Sequence, residues 1–298
     1  MSRVIAVSGA TGALGARVAR RVAAGAPAAD ATLRLVVRDA ARAPELPGAQ
    51  ITEFPGGYAD GPGFTAALRG VHTLYLVSAA EAEDRLQQHL TAVRAAVDAG
   101  VQRIVYTSFL DARPDAVFTL ARHHAATEAA IAASGVRWTA LRHSMYADFV
   151  PFFATPEDGG AVIAAPAGDG RTSFVSRDDC ADVGAAVLLR DDGTFDGQTP
   201  AVTGPEALTM AEAAEVLTEV TGRPTTYRRE TVEEAWASRR PSGHPDWEIE
   251  GWVTSYLAIA AGELAQVSDL VPRVTGHPAR TVAEHLRAHP GDWAPLAG

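Results

Sequence analysis

The sequence predicts an α/β fold, a Rossmann-like doubly wound parallel sheet followed by a smaller C-terminal substrate-binding lobe. Through residues 1–146, short apolar runs alternate with helical segments, which is the pattern of right-handed strand–helix–strand units. A glycine-rich turn joins the first apolar run to the first helix. Beyond residue 146 the alternation loosens. We therefore assign 147–298 to the second lobe, allow the two parts to interleave, and expect the lobe to close over the carboxyl edge of the sheet.

The first element is a buried strand that ends in Gly9-Ala-Thr-Gly12-Ala-Leu-Gly15. Gly9 permits a tight turn, Gly12 lets backbone N–H groups approach a pyrophosphate, and Gly15 lets the following helix pack close to the sheet. Leu14, Val18 and Val22 recur every four residues in that helix. Phosphates are favoured at its N-terminus by the free N–H groups and the helix dipole. The segment predicts a dinucleotide site formed by Gly9, Thr11, Gly12, Ala13, Leu14 and Gly15.

The second strand, 33–37, runs directly into Arg38 and Asp39. A carboxylate at this place binds the ribose 2′-hydroxyl of NAD, whereas an arginine accommodates the 2′-phosphate of NADP. A guanidinium can also stack on adenine. We therefore predict NADP (NADPH) as the cofactor, with NAD kept possible by Asp39.

The remaining elements follow from periodicity, glycines and prolines. In the first half we predict strands 51–54, 71–77, 101–106 and 138–141, with helices 64–68, 83–99 and 118–133 between them. Leu86, Leu90, Val93 and Val97 form the expected apolar stripe of helix 83–99. In the second half we predict strands 161–164 and 198–203, a helix 177–189 capped by Asp178 or Asp179, a helix 210–220 with a capping box at 209–212, a helical region 230–260 and a mobile tail 290–298.

Composition narrows the function class. The 298 residues carry a formal net charge of −10, which argues against nucleic acid or an anionic membrane as partner. No run of apolar residues approaches the length of a membrane span, and the first strand begins at once with no signal core, so we expect a cytoplasmic protein. The single cysteine, Cys180, excludes an internal disulfide and is expected to be an ordinary packed residue. The histidines show no metal-ligand spacing, so no metal is expected.

Ligands of open α/β sheets bind at the carboxyl ends of the strands, where the strand order reverses. The residues expected there are Val77 and Ser78 after one strand, Thr107, Ser108 and Phe109 after the next, and His143 and Tyr146 after the sixth. The helix that carries His124 should border the same crevice, so His124 is a candidate to contact ribose or donate a proton. Alternatively, His124 only pairs with Glu128 on a helix face, and His143 and Tyr146 only line the interface between the lobes.

The chain resembles the NmrA-like branch of the atypical short-chain dehydrogenases, nearest to type 2 quinone oxidoreductases and triphenylmethane reductases. The resemblance is carried by 7–15, 35–39, 105–108, 128–142, 167–170, 177–182 and 276–281. It implies NADPH-dependent reduction, with Tyr58 near the adenine. Two places depart from the pattern. The tyrosine and lysine of catalytic short-chain dehydrogenases fall on Leu120 and His124, and an aspartate near the adenine falls on Gly57.

The missing tyrosine bears on the acceptor. Hydride transfer to an aliphatic ketone makes an alkoxide as basic as hydroxide (water pKa ~15.7), whereas a quinone gives a phenolate with a pKa of about 10, a gap of roughly 8 kcal/mol. We therefore predict hydride transfer from NADPH to a quinone-like or conjugated aromatic acceptor. His124, Ser108 and Tyr146 are the candidate catalytic residues, and Phe109, His143 and Tyr146 hold the substrate. A non-catalytic NADP sensor acting through a protein partner, a tailoring reductase of an aromatic natural product, and a homodimer all stay open.

Overall fold

The structure is a computed structural model that describes residues 3–296. Its strands are β1 (Arg3–Ser8), β2 (Ala31–Val37), β3 (Gln50–Glu53), β4 (Thr73–Leu76), β5 (Arg103–Phe109), β6 (Arg137–His143), β7 (Ala154–Glu157), β8 (Gly160–Ala165), β9 (Arg171–Thr172), β10 (Ala201–Val202), β11 (Leu208–Thr209) and β12 (Thr225–Arg229). Its α-helices are α1 (Ala13–Gly25), α2 (Gly61–Leu68), α3 (Arg85–Asp98), α4 (Thr119–Ala133), α5 (Arg177–Leu189), α6 (Met210–Thr221), α7 (Val232–Arg239), α8 (Asp246–Ala260), α9 (Leu270–Thr275) and α10 (Val282–Ala288).

The predicted doubly wound sheet is confirmed. Seven strands lie in the order β10-β6-β5-β4-β1-β2-β3, and every neighbouring pair is parallel. The order reverses between β1 and β4, so the carboxyl ends of these two strands open a crevice between them. Near-continuously apolar strands such as β4, all of whose residues are buried, suit a sheet covered on both faces.

Helices cover the two faces of this sheet. On one face, α1 and α5 pack against each other, α1 also against β1 and α5 also against β5, with Val18 and Val183 fully buried. On the other face, α2 and α3 cover β4, with Phe64 and Ala92 buried. Because α5 and β10 follow residue 146 in the sequence, the second half of the chain returns to the large sheet.

The rest of the second half builds two small sheets and the helices around them. Strands β12, β8 and β7 form one sheet, in which β12 and β8 are parallel, and β11 pairs antiparallel with β9. Helix α6 begins with the predicted capping box between Thr209 and Glu212. The second half of the chain has its own core, in which Ile163, Met210, Leu217 and Leu286 pack together. None of the helices within residues 3–296 is long and apolar enough to cross a membrane.

Three local predictions are wrong. Helix α5 is capped by the Ser176 hydroxyl, which accepts from the Asp178 backbone N–H, because the Asp178 and Asp179 carboxylates instead pair with Arg21 and Arg280. The tail does not extend freely over 290–296 but packs against the protein, since the Trp293 indole donates to the Leu286 carbonyl and Leu296 is buried. Residues 297 and 298 lie outside the described part.

The third correction concerns α3. The predicted apolar stripe leaves Leu86 and Leu90 half-buried and Val97 exposed, and only its Val93 is buried. The helix is rotated relative to that prediction, and its buried face carries Arg85, His89, Ala92, Val93, Ala95 and Ala96. Two polar side chains, Arg85 and His89, therefore point into the protein interior, where they form hydrogen bonds at the candidate active site.

Candidate active site

Two adjoining cavities lie at the carboxyl ends of β1, β4, β5 and β6. The first, of about 500 Å³, is lined by the glycine loop at Gly9 and Gly12, by the end of β2 at Arg38, and by the segment 54–59. The second, of about 600 Å³, is lined by the ends of β5 and β6, by α4 and by α8. The segment 77–80 after β4 lines both cavities, so a long ligand can extend from one to the other.

The glycine loop has the geometry that its spacing predicts. Gly9 has φ +63°, in the left-handed region, and its carbonyl accepts from the Gly12 N–H at 2.9 Å. A Cβ on Gly15 would lie 2.2 Å from the Gly9 carbonyl oxygen, so only glycine lets α1 approach the strand this closely. A Cβ on Gly12 would meet only the Gly9 oxygen, at 3.3 Å, and would otherwise project into open space.

The N-terminus of α1 suits an anion. Gly12 caps the helix without a side-chain hydrogen bond, and the first turn contains no acidic residue. The first backbone N–H groups of the helix and its dipole are therefore left for a ligand. Thr11 and Gly12 line the first cavity, whereas Ala13 and Leu14 line the second. The loop thus lies at the junction of the two cavities.

Arg38 and Asp39 take different directions. Arg38 is exposed and lines the first cavity. The Asp39 carboxylate instead accepts from the Ala41 backbone N–H at 2.9 Å and caps the short turn that follows. A Cβ on Gly57, which has φ +61°, would touch Arg38 Cδ at 3.4 Å. The place that resembling proteins give to an aspartate therefore leaves room here for the arginine.

Hydroxyl groups fix the strand ends beneath the cavities. The Tyr58 hydroxyl lies 2.6 Å from Ser8 Oγ and 2.8 Å from the Val77 carbonyl oxygen, and burial raises the Tyr58 pKa. The Ser78 N–H donates to Thr107 Oγ1 at 2.7 Å. Tyr58 therefore presents its ring rather than a free hydroxyl to the first cavity, and the ends of β4 and β5 are held together.

The second cavity is mainly apolar and aromatic. It is lined by Phe109, Phe118, Leu120, Met145, Phe149, Phe153 and Trp252, with contributions from both halves of the chain. Leu120, at the place of the family's tyrosine, is buried and faces this cavity from α4. The rings of Phe109 and His124 stack at 6.1 Å between centroids. A flat conjugated molecule fits such a wall better than a small aliphatic one.

His124 also lines this cavity, but both of its ring nitrogens already have partners. Arg85 Nη2 donates to His124 Nε2 at 2.9 Å, so the ring proton lies on Nδ1, which is 2.8 Å from the Tyr106 hydroxyl. Burial, then the charge of Arg85, lower the His124 pKa well below its usual range. His124 is therefore a neutral imidazole. The alternative that it pairs with Glu128 is wrong, because Glu128 binds other residues.

Glu128 binds Ser108 and Arg142. The Ser108 hydroxyl donates to Glu128 Oε1 at 2.5 Å, and Arg142 holds both carboxylate oxygens, with Nη2 2.6 Å from Oε2. Ser108 and Glu128 are both buried. Since its hydrogen is directed to Glu128, Ser108 meets a ligand as a hydrogen-bond acceptor.

His143 and Tyr146 line the same cavity at the end of β6. His143 Nδ1 is 3.1 Å from the Tyr146 hydroxyl, and His143 Nε2 has no partner among the described residues. Burial, then the charge of Arg177, lower the His143 pKa to about 3. The Arg177 guanidinium lies 4.3 Å from the centroid of the Tyr146 ring and pairs with Asp148. The polar groups here are thus neutral, apart from one paired arginine.

Sequence reasoning missed Arg85, which lines the second cavity from the first turn of α3. Its only sequence signal is the i, i+4 spacing with His89, which an apolar stripe drawn through Leu86 conceals. His89 receives the Ala79 N–H at 2.8 Å and contacts Thr127 at 3.0 Å. Arg85, His89 and His124 therefore link α3 to α4 at the wall of the second cavity.

Cys180 and the acidic clusters lie outside both cavities. Cys180 is fully buried, and burial raises the pKa of its thiol. Within residues 3–296, three groups of carboxylates and imidazoles lie close enough together to hold an ion: Asp178, His285 and His289; Asp148, His285 and Asp292; and Asp179, Asp182 and His277. Each group includes a carboxylate that already pairs with an arginine.

Comparison with known proteins identifies a family and several relatives that the chain is similar to. The model of the family described as "NmrA-like family" matches residues 1–240. The chain is 32% identical over 283 residues to "Quinone oxidoreductase 2" of Escherichia coli, covering 95% of this chain and 97% of that protein. It is 30% identical to "NAD(P)H azoreductase" of Xenophilus azovorans, covering 96% and 98%. It is 32% identical to "(4-alkanoyl-5-oxo-2,5-dihydrofuran-3-yl)methyl phosphate reductase" of Streptomyces griseus, covering 98% and 100%.

Two solved structures are similar over almost their whole length. The NADPH-dependent quinone oxidoreductase of Escherichia coli complexed with NADPH superposes with a TM-score of 0.84 at 31% identity, covering 95% of this chain and 99% of the other. The triphenylmethane reductase of a Citrobacter species complexed with NADP(H) gives a TM-score of 0.82 at 30% identity, with the same coverage.

Proposed function

This chain belongs to the NmrA-like family, and we propose that within it the protein reduces a quinone-like or other conjugated aromatic acceptor with NADPH as hydride donor. It is an NAD(P)H-dependent oxidoreductase, as are its named relatives. The proposal concerns the chemical class of the acceptor. The observation that carries it is the aromatic cavity of about 600 Å³, which adjoins the glycine loop and has no strong acid at the place of the family's tyrosine.

The cofactor residues fit NADPH. The uncapped N-terminus of α1 suits the pyrophosphate, and Tyr58 and Arg38 line the first cavity, where we expect the adenosine and its 2′-phosphate to bind. Because Asp39 is engaged in its own turn, the carboxylate that NAD requires is turned away. When bound, NADPH supplies a hydride at its nicotinamide ring. The residues of the second cavity then orient the acceptor and exclude water.

The class of acceptor follows from which residues of the site can donate a proton to the reduced product. His124 is neutral with both nitrogens engaged, and Ser108 directs its hydrogen to Glu128. Burial raises the Tyr146 pKa, which makes its hydroxyl a weaker acid. An acceptor whose reduced form is a stabilised anion avoids the roughly 8 kcal/mol penalty of an alkoxide. We therefore assign Phe109, His143 and Tyr146 to acceptor binding and His124 to a positioning role.

A panel assay tests this function. NADPH consumption is followed in air with a naphthoquinone, an azo dye, a cationic triphenylmethane dye and an aliphatic ketone. We expect turnover with the conjugated acceptors and little with the ketone. NADPH binding without turnover on any conjugated acceptor would instead support a sensor that acts through a protein partner. Cytoplasmic location and homodimer formation stay predictions.

A further inference from the structure

We propose that Arg85 binds the oxygen atom of the acceptor that becomes negatively charged during reduction, and that it selects carbonyl acceptors over cationic ones. The proposal rests on the proposed function and adds to it a substrate class and a residue. It starts from an unusual feature of the second cavity, namely a buried arginine in its wall with one nitrogen left without a partner.

Arg85 is held from two sides. It is 4% exposed, its Nε donates to the Ala79 carbonyl at 3.0 Å, and its Nη2 donates to His124 Nε2 at 2.9 Å. Its Nη1 is buried and has no hydrogen-bond partner among the described residues. A buried N–H group of a charged side chain that lacks a partner costs free energy. Because Arg85 lines the second cavity, a ligand atom that reaches Nη1 would remove that cost.

The surroundings leave the positive charge of Arg85 available. His124, Tyr106 and Tyr146 face it in neutral form, since burial lowers the His124 pKa and raises those of both tyrosines. Glu81 is the carboxylate that acts on Arg85, from the same cavity wall, yet the two form no ion pair. The nearby Glu128 is engaged by Arg142. An acceptor oxygen is therefore the natural partner of this charge.

The chemistry of the reaction creates that oxygen. A quinone or enone gains a hydride, with its two electrons, from the reduced nicotinamide; a new bond to hydrogen forms and a π bond breaks. The electron pair of that π bond moves to an oxygen, which becomes a phenolate or enolate and later takes a proton from water. A guanidinium cannot give up its own proton near neutral pH. Arg85 can thus stabilise the oxyanion as it forms without acting as an acid.

This role of Arg85 also explains the hydrogen-bond network that links Arg85, His124 and Tyr106. Neutral His124 accepts from Arg85, and Tyr106 is the partner of the other ring nitrogen, so the guanidinium is oriented before the acceptor binds. His124 is therefore a positioning residue. A cationic dye gains nothing from Arg85, because it places positive charge near a buried positive charge and forms no oxyanion.

Binding of a phenolate probe tests the proposal without turnover. The protein loaded with NADP⁺ is titrated with para-nitrophenol, whose phenol and phenolate absorb differently, and with para-nitroanisole, which cannot ionise. Compared with free solution at the same pH, we expect a larger phenolate fraction when the probe is bound. Arg85→Met should weaken phenolate binding by about tenfold or more and leave nitroanisole binding unchanged. Arg94→Met, at an exposed position of the same helix, is the control.

Two further variants guard against misfolding. Arg85→Gln keeps donors without the charge and should lose the phenolate preference, whereas Arg85→Lys should retain part of it. Circular dichroism and NADPH affinity report whether each variant is folded. Phenolate binding by folded Arg85→Gln or Arg85→Met that equals that of the parent protein overturns the proposal.

Turnover assays distinguish a failure of the proposed role of Arg85 from a failure of the proposed function. With a naphthoquinone, Arg85→Met should lower kcat at least about tenfold, and with a cationic triphenylmethane dye the rate should stay the same or rise. His124→Ala should lower quinone turnover in the same sense but less. If the parent protein reduces neither acceptor, the proposed function fails; if it reduces quinones and Arg85→Met does so equally well, only the role of Arg85 fails.

Discussion

At the scale of single residues, Arg38 and Asp39 allow a test of the proposed preference for NADPH. Arg38 lines the first cavity, whereas the neighbouring Asp39 carboxylate accepts from the Ala41 backbone N–H. Arg38→Ala should therefore weaken NADPH binding by about 1.5 to 3 kcal/mol, the cost of a lost charge-assisted hydrogen bond, and leave NADH binding nearly unchanged. Isothermal titration of both cofactors measures this. Arg42→Ala, an exposed arginine of the following turn, is the matched control. Equal affinity of the parent protein for both cofactors contradicts the assignment.

Buried imidazoles make stability depend on pH. Burial, then the charge of Arg85, lower the His89 pKa to about 3, and the His124 pKa is also lowered. An unfolded chain binds a proton at each histidine below a pH of about 6.5, which the folded chain does not. The free energy of unfolding must therefore fall as the pH drops below about 6.5 and continue to fall toward about 3.

We expect His89→Gln to reduce this loss of stability. Glutamine does not titrate, so the melting temperature of the variant should decline less steeply between about pH 7 and 5 than that of the parent protein. His244→Gln, at an exposed site, serves as the reference. An unchanged slope in His89→Gln would mean that His89 binds its proton equally in the folded and unfolded states.

At the scale of elements, two glycines of one loop should respond differently to the same change. A Cβ at residue 12 would meet only the Gly9 oxygen, at 3.3 Å, beside the expected pyrophosphate site, whereas a Cβ at residue 15 would lie 2.2 Å from that oxygen. Gly12→Val should fold and fail to bind NADPH. Gly15→Val should lose stability as well. Thermal denaturation and titration calorimetry separate the two, and near-native NADPH affinity of folded Gly12→Val contradicts the site.

The elements also show how far sequence reasoning reaches. The strands of the large sheet, the glycine loop and the capping box at Thr209 depend on local periodicity and on nearby residues, so they could be predicted, whereas the short strands β7, β9, β11 and β12 were not predicted. The buried face of α3 could not be predicted. The buried Arg85 and His89 form hydrogen bonds with Ala79, His124 and Thr127, and these partners come from a loop and from another helix. Tertiary contacts of this kind leave no period in the sequence.

At the scale of the whole molecule, the chain does not divide cleanly at residue 146. Helix α5 packs on α1 and buries Val183, Val187 and Leu188 fully, and β10 pairs with β6 at the edge of the large sheet. The cavity itself needs both halves, since Arg177 and Trp252 line it together with Phe109.

A fragment of residues 1–146 should therefore fail to fold on its own. Without α5 it exposes the apolar face of α1 that carries Val18 and Val22, and an exposed patch of this kind favours aggregation. A fragment of residues 1–204 keeps α5 and β10 and should show more native helical signal and solubility. Circular dichroism, urea denaturation and analytical ultracentrifugation of the two fragments measure the difference. Cooperative unfolding of a monomeric 1–146 fragment would show that the sheet is complete without the second half, and the interleaved packing would then contribute little to stability.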